Sequence, residues 1–279
     1  MNRTDTGPRR LPPAAPSRPH WLLRVRPAFV AVWLKKWLRV ARRDVATAYG
    51  SFHIDPVSQF GSTLVSSEGY EPEMRHTLER FLKPGSVFLD VGANEGFFSV
   101  LASRLVGPHG RVVAVEPQQR LAPVIRRNLE LNDCANVSVF SCAISDRRGE
   151  AELHLAPDTN TGSTALYQST RYRLPRVTVP VTTLEDFAAR AELVRIDFAK
   201  MDIEGFEYEA ILGSPRLFES GQIAALALEL HPGPIAHRGL DPAAIARFLS
   251  RCGYALAADA PTAVWVHRGA GTLPASPSL

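Results

Sequence analysis

Two clusters in this 279-residue chain hold residues whose types and spacing can do chemistry. The first is Asp90-Val91-Gly92-Ala93-Asn94-Glu95-Gly96, set between the apolar run Val87-Phe88-Leu89 and a helix-forming stretch at 97–106. Gly92 permits a tight turn, and Gly96 lets the next helix begin close to a strand and to a ligand. Glu116 stands twenty residues beyond Gly96, at the end of the next apolar run. A carboxylate there can accept hydrogen bonds from both hydroxyls of a ribose. Asp90 stands where a dinucleotide-binding loop would carry its first glycine. A carboxylate at that place repels a pyrophosphate, which disfavours a nicotinamide oxidoreductase, and suits a ligand that has cationic groups and no phosphate.

S-adenosylmethionine is such a ligand: it carries an ammonium, a sulfonium and an adenosine. Asp90, Gly92, Asn94, Gly96, Glu116 and the adjoining Pro117 are the residues expected to hold it.

The second cluster is Asp202-Ile203-Glu204-Gly205, followed at the end of the next apolar run by Glu229-Leu230-His231. In an open α/β sheet the ligand crevice lies beyond the carboxyl ends of the strands. Strand geometry continued through residue 204 would put Asp202 and Glu204 on one side. Three uses are open. Asp202, Glu204 or His231 can act as a general base on an acceptor group. Asp202, Glu204, Glu229 and His231 can bind Mg²⁺ or Mn²⁺ through oxygen-rich ligands. The charges can also be structural, as caps or as partners of Lys200 and Arg216.

The elements that must position these residues alternate. A helix at 71–82, a strand at 87–91, a helix at 97–106, a strand at 111–116, a helix at 118–131 and a strand at 137–143 read as βαβ units. Residues 151–155 follow Asp146-Arg147-Arg148-Gly149 and read as the second arm of an antiparallel hairpin. A polar loop over 156–175 contains Asn160-Thr161-Gly162-Ser163-Thr164, readable as a lid, an acceptor contact or an ordinary exposed loop. Strands at 177–181, 196–202, 224–230, 254–258 and 263–267 and helices at 183–190, 206–212 and 242–252 complete the pattern. The implied fold is α/β: a doubly wound, mostly parallel, seven-stranded Rossmann-like sheet with one antiparallel strand near the C-terminus and an N-terminal basic helical extension.

Val87-Phe88-Leu89-Asp90-Val91-Gly92-Ala93-Asn94-Glu95-Gly96-Phe97-Phe98-Ser99 resembles the first motif of the FkbM family of methyltransferases. Val115-Glu116-Pro117, Ala143-Ile144-Ser145-Asp146, Val179-Pro180-Val181-Thr182-Thr183-Leu184 and Lys200-Met201-Asp202-Ile203-Glu204-Gly205 match in the same order, over roughly residues 69–256. The resemblance implies a class I methyltransferase fold, S-adenosylmethionine as methyl donor, and a hydroxyl acceptor on a sugar or other natural product. It also places Cys142 and Ala143 beside the adenine. Methylation of nitrogen on the same fold, and a non-catalytic membrane or partner adaptor, are the alternatives.

The net charge of +4 is unevenly spread. Residues 1–48 hold 11 of the 32 basic residues against Asp5 and Asp44, a charge of +9, which leaves −5 on the remainder. The basic character therefore belongs to the N-terminal segment, and no nucleic-acid partner is expected for the domain. The sequence divides into a disordered tail at 1–20, a basic amphipathic helical segment at 21–48, a methyltransferase domain at 49–268 and a disordered tail at 269–279. Over 29–43, Trp33, Trp37, Leu34 and Leu38 share one helical face and Lys35, Lys36, Arg39, Arg42 and Arg43 the other. That pattern suits peripheral contact with an anionic membrane, or packing on protein. No apolar run reaches the length of a membrane span and no signal peptide is evident, so the expected location is cytoplasmic, with or without membrane association. Three scattered cysteines make neither a disulfide framework nor a zinc site.

Overall fold

The computed structural model describes residues 20–25, 28–66, 69–157, 160–166, 175–258 and 262–269. The expected tails lie outside the described residues, apart from His20 and Gly269. Two compact units are present, residues 1–70 and 71–279.

In the first unit, helix α1 (Ala28–Trp37) is followed by an antiparallel hairpin of β1 (Arg43–Thr47) and β2 (Gly50–Ile54), then by the short helix α2 (Gln59–Leu64). The basic helix therefore stops six residues before its expected end. Arg39 takes a left-handed φ of 51° and turns the chain out of the helix. Residues 43–47 are strand, with Asp44 directly opposite His53 and their side chains 2.7 Å apart. Thr47 Oγ1 accepts from the Tyr49 amide and donates to the Gly50 carbonyl, closing the turn. The helical reading ran on because Val40 and Ala41 fall on the apolar face of a continued helix. The hairpin spans residues 43–54, across the expected boundary at 48/49, and the compact units divide at 70/71.

The second unit runs α3 (Pro72–Phe81), β3 (Val87–Val91), α4 (Phe97–Val106), β4 (Arg111–Val115), α5 (Ala122–Glu130), β5 (Val137–Phe140), β6 (Ala143–Ile144), β7 (Gly149–His154), β8 (Arg176–Thr182), α6 (Leu184–Arg190), β9 (Phe198–Met201), α7 (Glu207–Leu212), α8 (Pro215–Glu219), β10 (Ala225–Leu228), α9 (Pro232–His237), α10 (Ala243–Arg251), β11 (Tyr254–Ala258) and β12 (Ala263–His267). Seven strands form one sheet in the order β11-β12-β10-β9-β3-β4-β5. All neighbouring pairs from β10 to β5 are parallel, and β12 runs antiparallel to both of its neighbours. This is the expected doubly wound, Rossmann-like sheet.

The chain order reverses at β3, which has β4 on one side and β9 on the other, so the ligand crevice opens at their carboxyl ends. Strands buried on both faces are apolar throughout, as β10 is. Two buried charges interrupt this rule, Asp90 on β3 and Lys200 on β9, and they are register partners. Phe198 on β9 stacks against Phe81 (ring centroids 5.0 Å apart) and Phe88 (5.9 Å), each pair adding roughly 0.5–1.5 kcal/mol beyond its buried area.

The expected strand at 137–143 splits. β5 ends at Phe140, and β6 joins a separate three-stranded sheet ordered β6-β8-β7. β7 pairs with β8 rather than folding back on the strand before it. The turn residues 146–149 mark the change of direction correctly. A strand arriving from beyond the long loop takes the central place, and local sequence carries no sign of that.

Candidate active site

The turn after β3 is built on β4 and β9. The Gly92 and Ala93 amides both donate to the Val115 carbonyl. Gly92 has φ 86°, and a β-carbon on it would lie 1.9 Å from the Asp202 carbonyl oxygen. Only glycine lets the β3 turn touch the backbone at the end of β9. Gly96, at φ 80°, begins α4 with Ile125 so close that a β-carbon would sit 3.1 Å from its Cγ2.

Asn94 is left-handed at φ 49°, and its amide donates to Glu116 Oε2 at 2.8 Å. Glu116 Oε1 accepts from the Gln118 amide at 2.9 Å. Each oxygen keeps a further acceptor position. Burial pushes the Glu116 carboxyl up to about 7, against the pull of those two amides. Pro117 between them has no N–H and is half-buried.

Asp90 is fully buried. Ser99 Oγ donates to its Oδ2 at 2.6 Å, while Oδ1 has no partner. Burial raises its pKa against the opposing charge of Lys200 and the Ser99 hydrogen bond. The part of its charge that the sequence reading assigned to a cationic ligand is thus shared with Lys200.

Cys142 and Ala143, expected beside the adenine, are both buried. Cys142 packs in the main core with Leu184 and Phe187, and Ala143 packs in the small sheet with Leu153 and Val181. The chain has already left the main sheet when it reaches them, which turns both side chains into apolar packing. Gln118 is a polar group beside Glu116 that sequence reasoning missed. It is buried, its Nε2 donates to the Thr161 carbonyl, and its Oε1 accepts from Thr164 Oγ1. Thr161 Oγ1 also donates to Asn94 Oδ1 at 3.0 Å. The loop at 160–164 therefore lies on the β3 and β4 turns.

The second cluster converges as expected, by a different route. β9 ends at Met201, and Glu204 has φ 53°, so a turn rather than strand alternation brings Glu204 beside Asp202. His231 Nε2 lies 3.6 Å from Glu204 Oε2 and 4.0 Å from Asp202 Oδ1. His231 Nδ1 lies 2.9 Å from Glu207 Oε1. Glu207, which sequence reasoning missed, is fully buried. Its Oε1 also accepts from the Ile203 and Gly205 amides, and its Oε2 has no partner. One carboxylate thus holds both the turn carrying Glu204 and the ring of His231.

Burial opposes a charge on His231. The Glu207 hydrogen bond and the charges of Glu207, Glu204 and Asp202 outweigh it and push the pKa up to about 9. Burial lifts Glu204 to about 7, with His231 opposing and Asp202, Glu207 and Glu229 adding to the rise. Lys200 Nζ donates to Asp202 Oδ2 at 3.3 Å. Its burial would strip the proton, but Asp202, Asp90, Glu71 and Glu229 hold it firmly charged. A lysine in the apolar run Phe198-Ala199-Lys200-Met201 was the sequence signal for this role. For a metal, Asp202, Glu229 and His231 offer atoms all within 4.8 Å of one another, without Glu204.

The 2-O-methyltransferase NoeI of Sinorhizobium fredii is 30% identical over 147 residues, covering 47% of this chain and 58% of the relative. Methyltransferase sdnD of Sordaria araneosa is 30% identical over 159 residues, covering 47% of this chain and 61% of the relative. The chain thus spans about three fifths of the length of these relatives. Among solved structures, the precorrin-6y C5,15-methyltransferase of Geobacter metallireducens superposes with a TM-score of 0.40 at 16% identity, covering 70% of this chain and 89% of that one. The model of the FkbM methyltransferase domain matches residues 90–256, more than half of the sequence, and the chain belongs to that family.

Proposed function

We propose that this chain is an S-adenosylmethionine-dependent methyltransferase that methylates a hydroxyl group on a sugar or another natural-product small molecule. The observation that carries the reading is backbone contact between its two clusters. The β3 turn reaches the Asp202 carbonyl, so a donor held by that turn lies beside the Asp202, Glu204 and His231 group.

The residues present fit this donor. Glu116 has free acceptor positions for ribose hydroxyls, and Asp90 Oδ1 is a buried acceptor without a partner. When bound, the donor supplies an electrophilic methyl on a sulfonium. The protein contributes in-line positioning and a proton acceptor. At neutral pH His231 carries its proton, so the acceptor of the hydroxyl proton is the carboxylate of Glu204, supported by the imidazolium. This revises the reading of His231 as a neutral base.

Oxygen is favoured over nitrogen because a neutral amine needs little help from a base, and this site is built around one. The relative named as a 2-O-methyltransferase supports the same choice. Mg²⁺ or Mn²⁺ is the competing use of Asp202, Glu229 and His231. Lys200 already neutralises Asp202, and a metal would have to displace the His231 proton, so proton transfer is the assignment made.

The test is transfer of radiolabel from methyl-labelled donor to sugars and polyketide alcohols, beside matched amines, with EDTA or Mg²⁺. Label is expected in hydroxyl acceptors, independent of EDTA, and Glu204→Gln is expected to lower the rate about 10²-fold. Label only in amines, or loss of transfer in EDTA, contradicts the assignment. Donor binding without transfer to any acceptor would favour the adaptor reading.

A second observation concerns the first unit. Trp33 and Trp37 on α1 are 61% and 69% exposed, with their rings parallel and 6.5 Å apart. Leu38, Lys36 and Arg39 beside them are exposed, whereas Lys35 is taken up by Asp55. We propose that this face rests on an anionic membrane surface, where indole rings and basic side chains both gain. No helix among the described residues is long and apolar enough to cross a membrane. Co-sedimentation with phosphatidylserine vesicles is expected for the native protein and is lost in Trp33→Ala/Trp37→Ala. Equal sedimentation of both proteins contradicts it.

A further inference from the structure

A groove of about 520 Å³ lies beside the candidate active site, between β7 and the α7–α9 corner, in the size range of small-molecule sites. One wall continues directly from the Glu204 turn. Phe206 follows Gly205, and Arg238 covers the Phe206 ring at 4.3 Å while its guanidinium donates to the Gly205 carbonyl. The opposite wall is β7. At its far end is His154, whose backbone bridges to Ala165 just past the 160–164 loop. At the near end are Glu150 and the Asp146-Arg147 turn. The five residues of strand from Glu150 to His154, four rises apart, give the groove a length of roughly 13 Å.

Its charge is what selects a ligand. Asp146, Glu150, Glu152 and Glu209 line it against Arg147 and Arg238. Arg238 is already committed to both oxygens of Glu209 and to the Gly205 carbonyl. Glu209 is committed to Arg238 in turn, and Glu152 to Arg176 at 2.8 Å, so Asp146 and Glu150 remain beside Arg147, a lining in which carboxylates outnumber cations and which suits hydroxyl donors better than phosphate or carboxylate. A second observation points to a ligand. His154 is 8% exposed and lines the groove, and its Nδ1 is buried with no hydrogen-bond partner. An orphan buried nitrogen is an unmet hydrogen-bonding position that a ligand hydroxyl could satisfy.

We propose that this groove binds the methyl acceptor, and that the acceptor is an uncharged polyhydroxylated segment several ångströms longer than the group being methylated, such as a neutral oligosaccharide, rather than a phosphorylated sugar. The proposal rests on the methyltransferase reading above.

The test is saturation-transfer NMR on the full chain with a panel of neutral mono- and oligosaccharides and their phosphorylated counterparts. S-adenosylmethionine affinity is measured in parallel on the same samples. Neutral oligosaccharides are expected to bind, and phosphorylated sugars are not. His154→Phe and the exposed-site variant Glu150→Lys are each expected to weaken that binding at least tenfold while donor affinity stays within twofold. The proposal is overturned if no neutral saccharide binds a protein that binds donor, if only phosphorylated sugars bind, or if binding is the same in Glu150→Lys, which tests the groove even where His154→Phe fails to fold. Loss of donor binding in the unaltered protein would instead remove the methyltransferase reading.

Discussion

Gly92→Ala is expected to destabilise the second unit by about 3–5 kcal/mol and to abolish donor binding. A methyl at Gly92 would stand 1.9 Å from the Asp202 carbonyl oxygen, which is backbone and cannot swing aside. Relief requires parting the β3 turn from the end of β9, the contact on which the site depends. The left-handed φ of 86° adds roughly 1 kcal/mol of its own. Gly85 separates the two contributions. It has φ 88°, and a β-carbon placed on it would meet nothing within 4 Å. Gly85→Ala is therefore expected to cost only about 1 kcal/mol and to leave donor binding intact. Thermal unfolding makes the comparison, with about 2–4 °C of Tm per kcal/mol at this size. Equal shifts for the two variants would mean that the Gly92 contact is not rigid.

Glu207→Gln is expected to lower kcat about 10²-fold at pH 8 and to narrow the active pH range from its alkaline side. Glu204 must be ionised to accept a proton, so activity rises through about pH 7. His231 supports it as the imidazolium, so activity falls through about pH 9. The His231 pKa is raised above its ordinary value, so its contribution is complete at low pH and is lost as pH rises through about 9. Removing the Glu207 charge leaves burial as the leading influence on the ring, and the alkaline limb moves to lower pH. The amide oxygen of glutamine can still accept from the Ile203 and Gly205 amides, so the turn persists. NMR titration of the His231 ring gives a readout independent of turnover. An unchanged ring pKa with reduced kcat would make Glu207 a structural residue only.

What the sequence made legible was local. A turn with glycines at two fixed places, an acid at the end of the following strand and an acidic turn after β9 are each spelled out by neighbours in the chain, and each stands at a strand end. The seven-stranded sheet followed from the alternation of apolar runs. What was not legible depended on distant partners. Lys200 opposes Asp90 only because β9 lies beside β3. Glu207 reads as an ordinary acid in the first turn of a helix, where the helix dipole favours one. Its role appears only when His231, at the start of α9, is brought to it. Cys142 looked like part of a strand end until β6 proved to belong to another sheet. The hairpin at 43–54 was hidden because two more apolar residues continued a helical stripe past Arg39.

If the turns after β3 and β4 form a donor site, calorimetric titration of the folded 279-residue chain with S-adenosylmethionine will register it. Saturable binding is expected, weakened at least tenfold (about 1.4 kcal/mol) by Glu116→Ala with the fold retained. Absence of binding at millimolar donor, or binding that Glu116→Ala leaves unchanged, would contradict it.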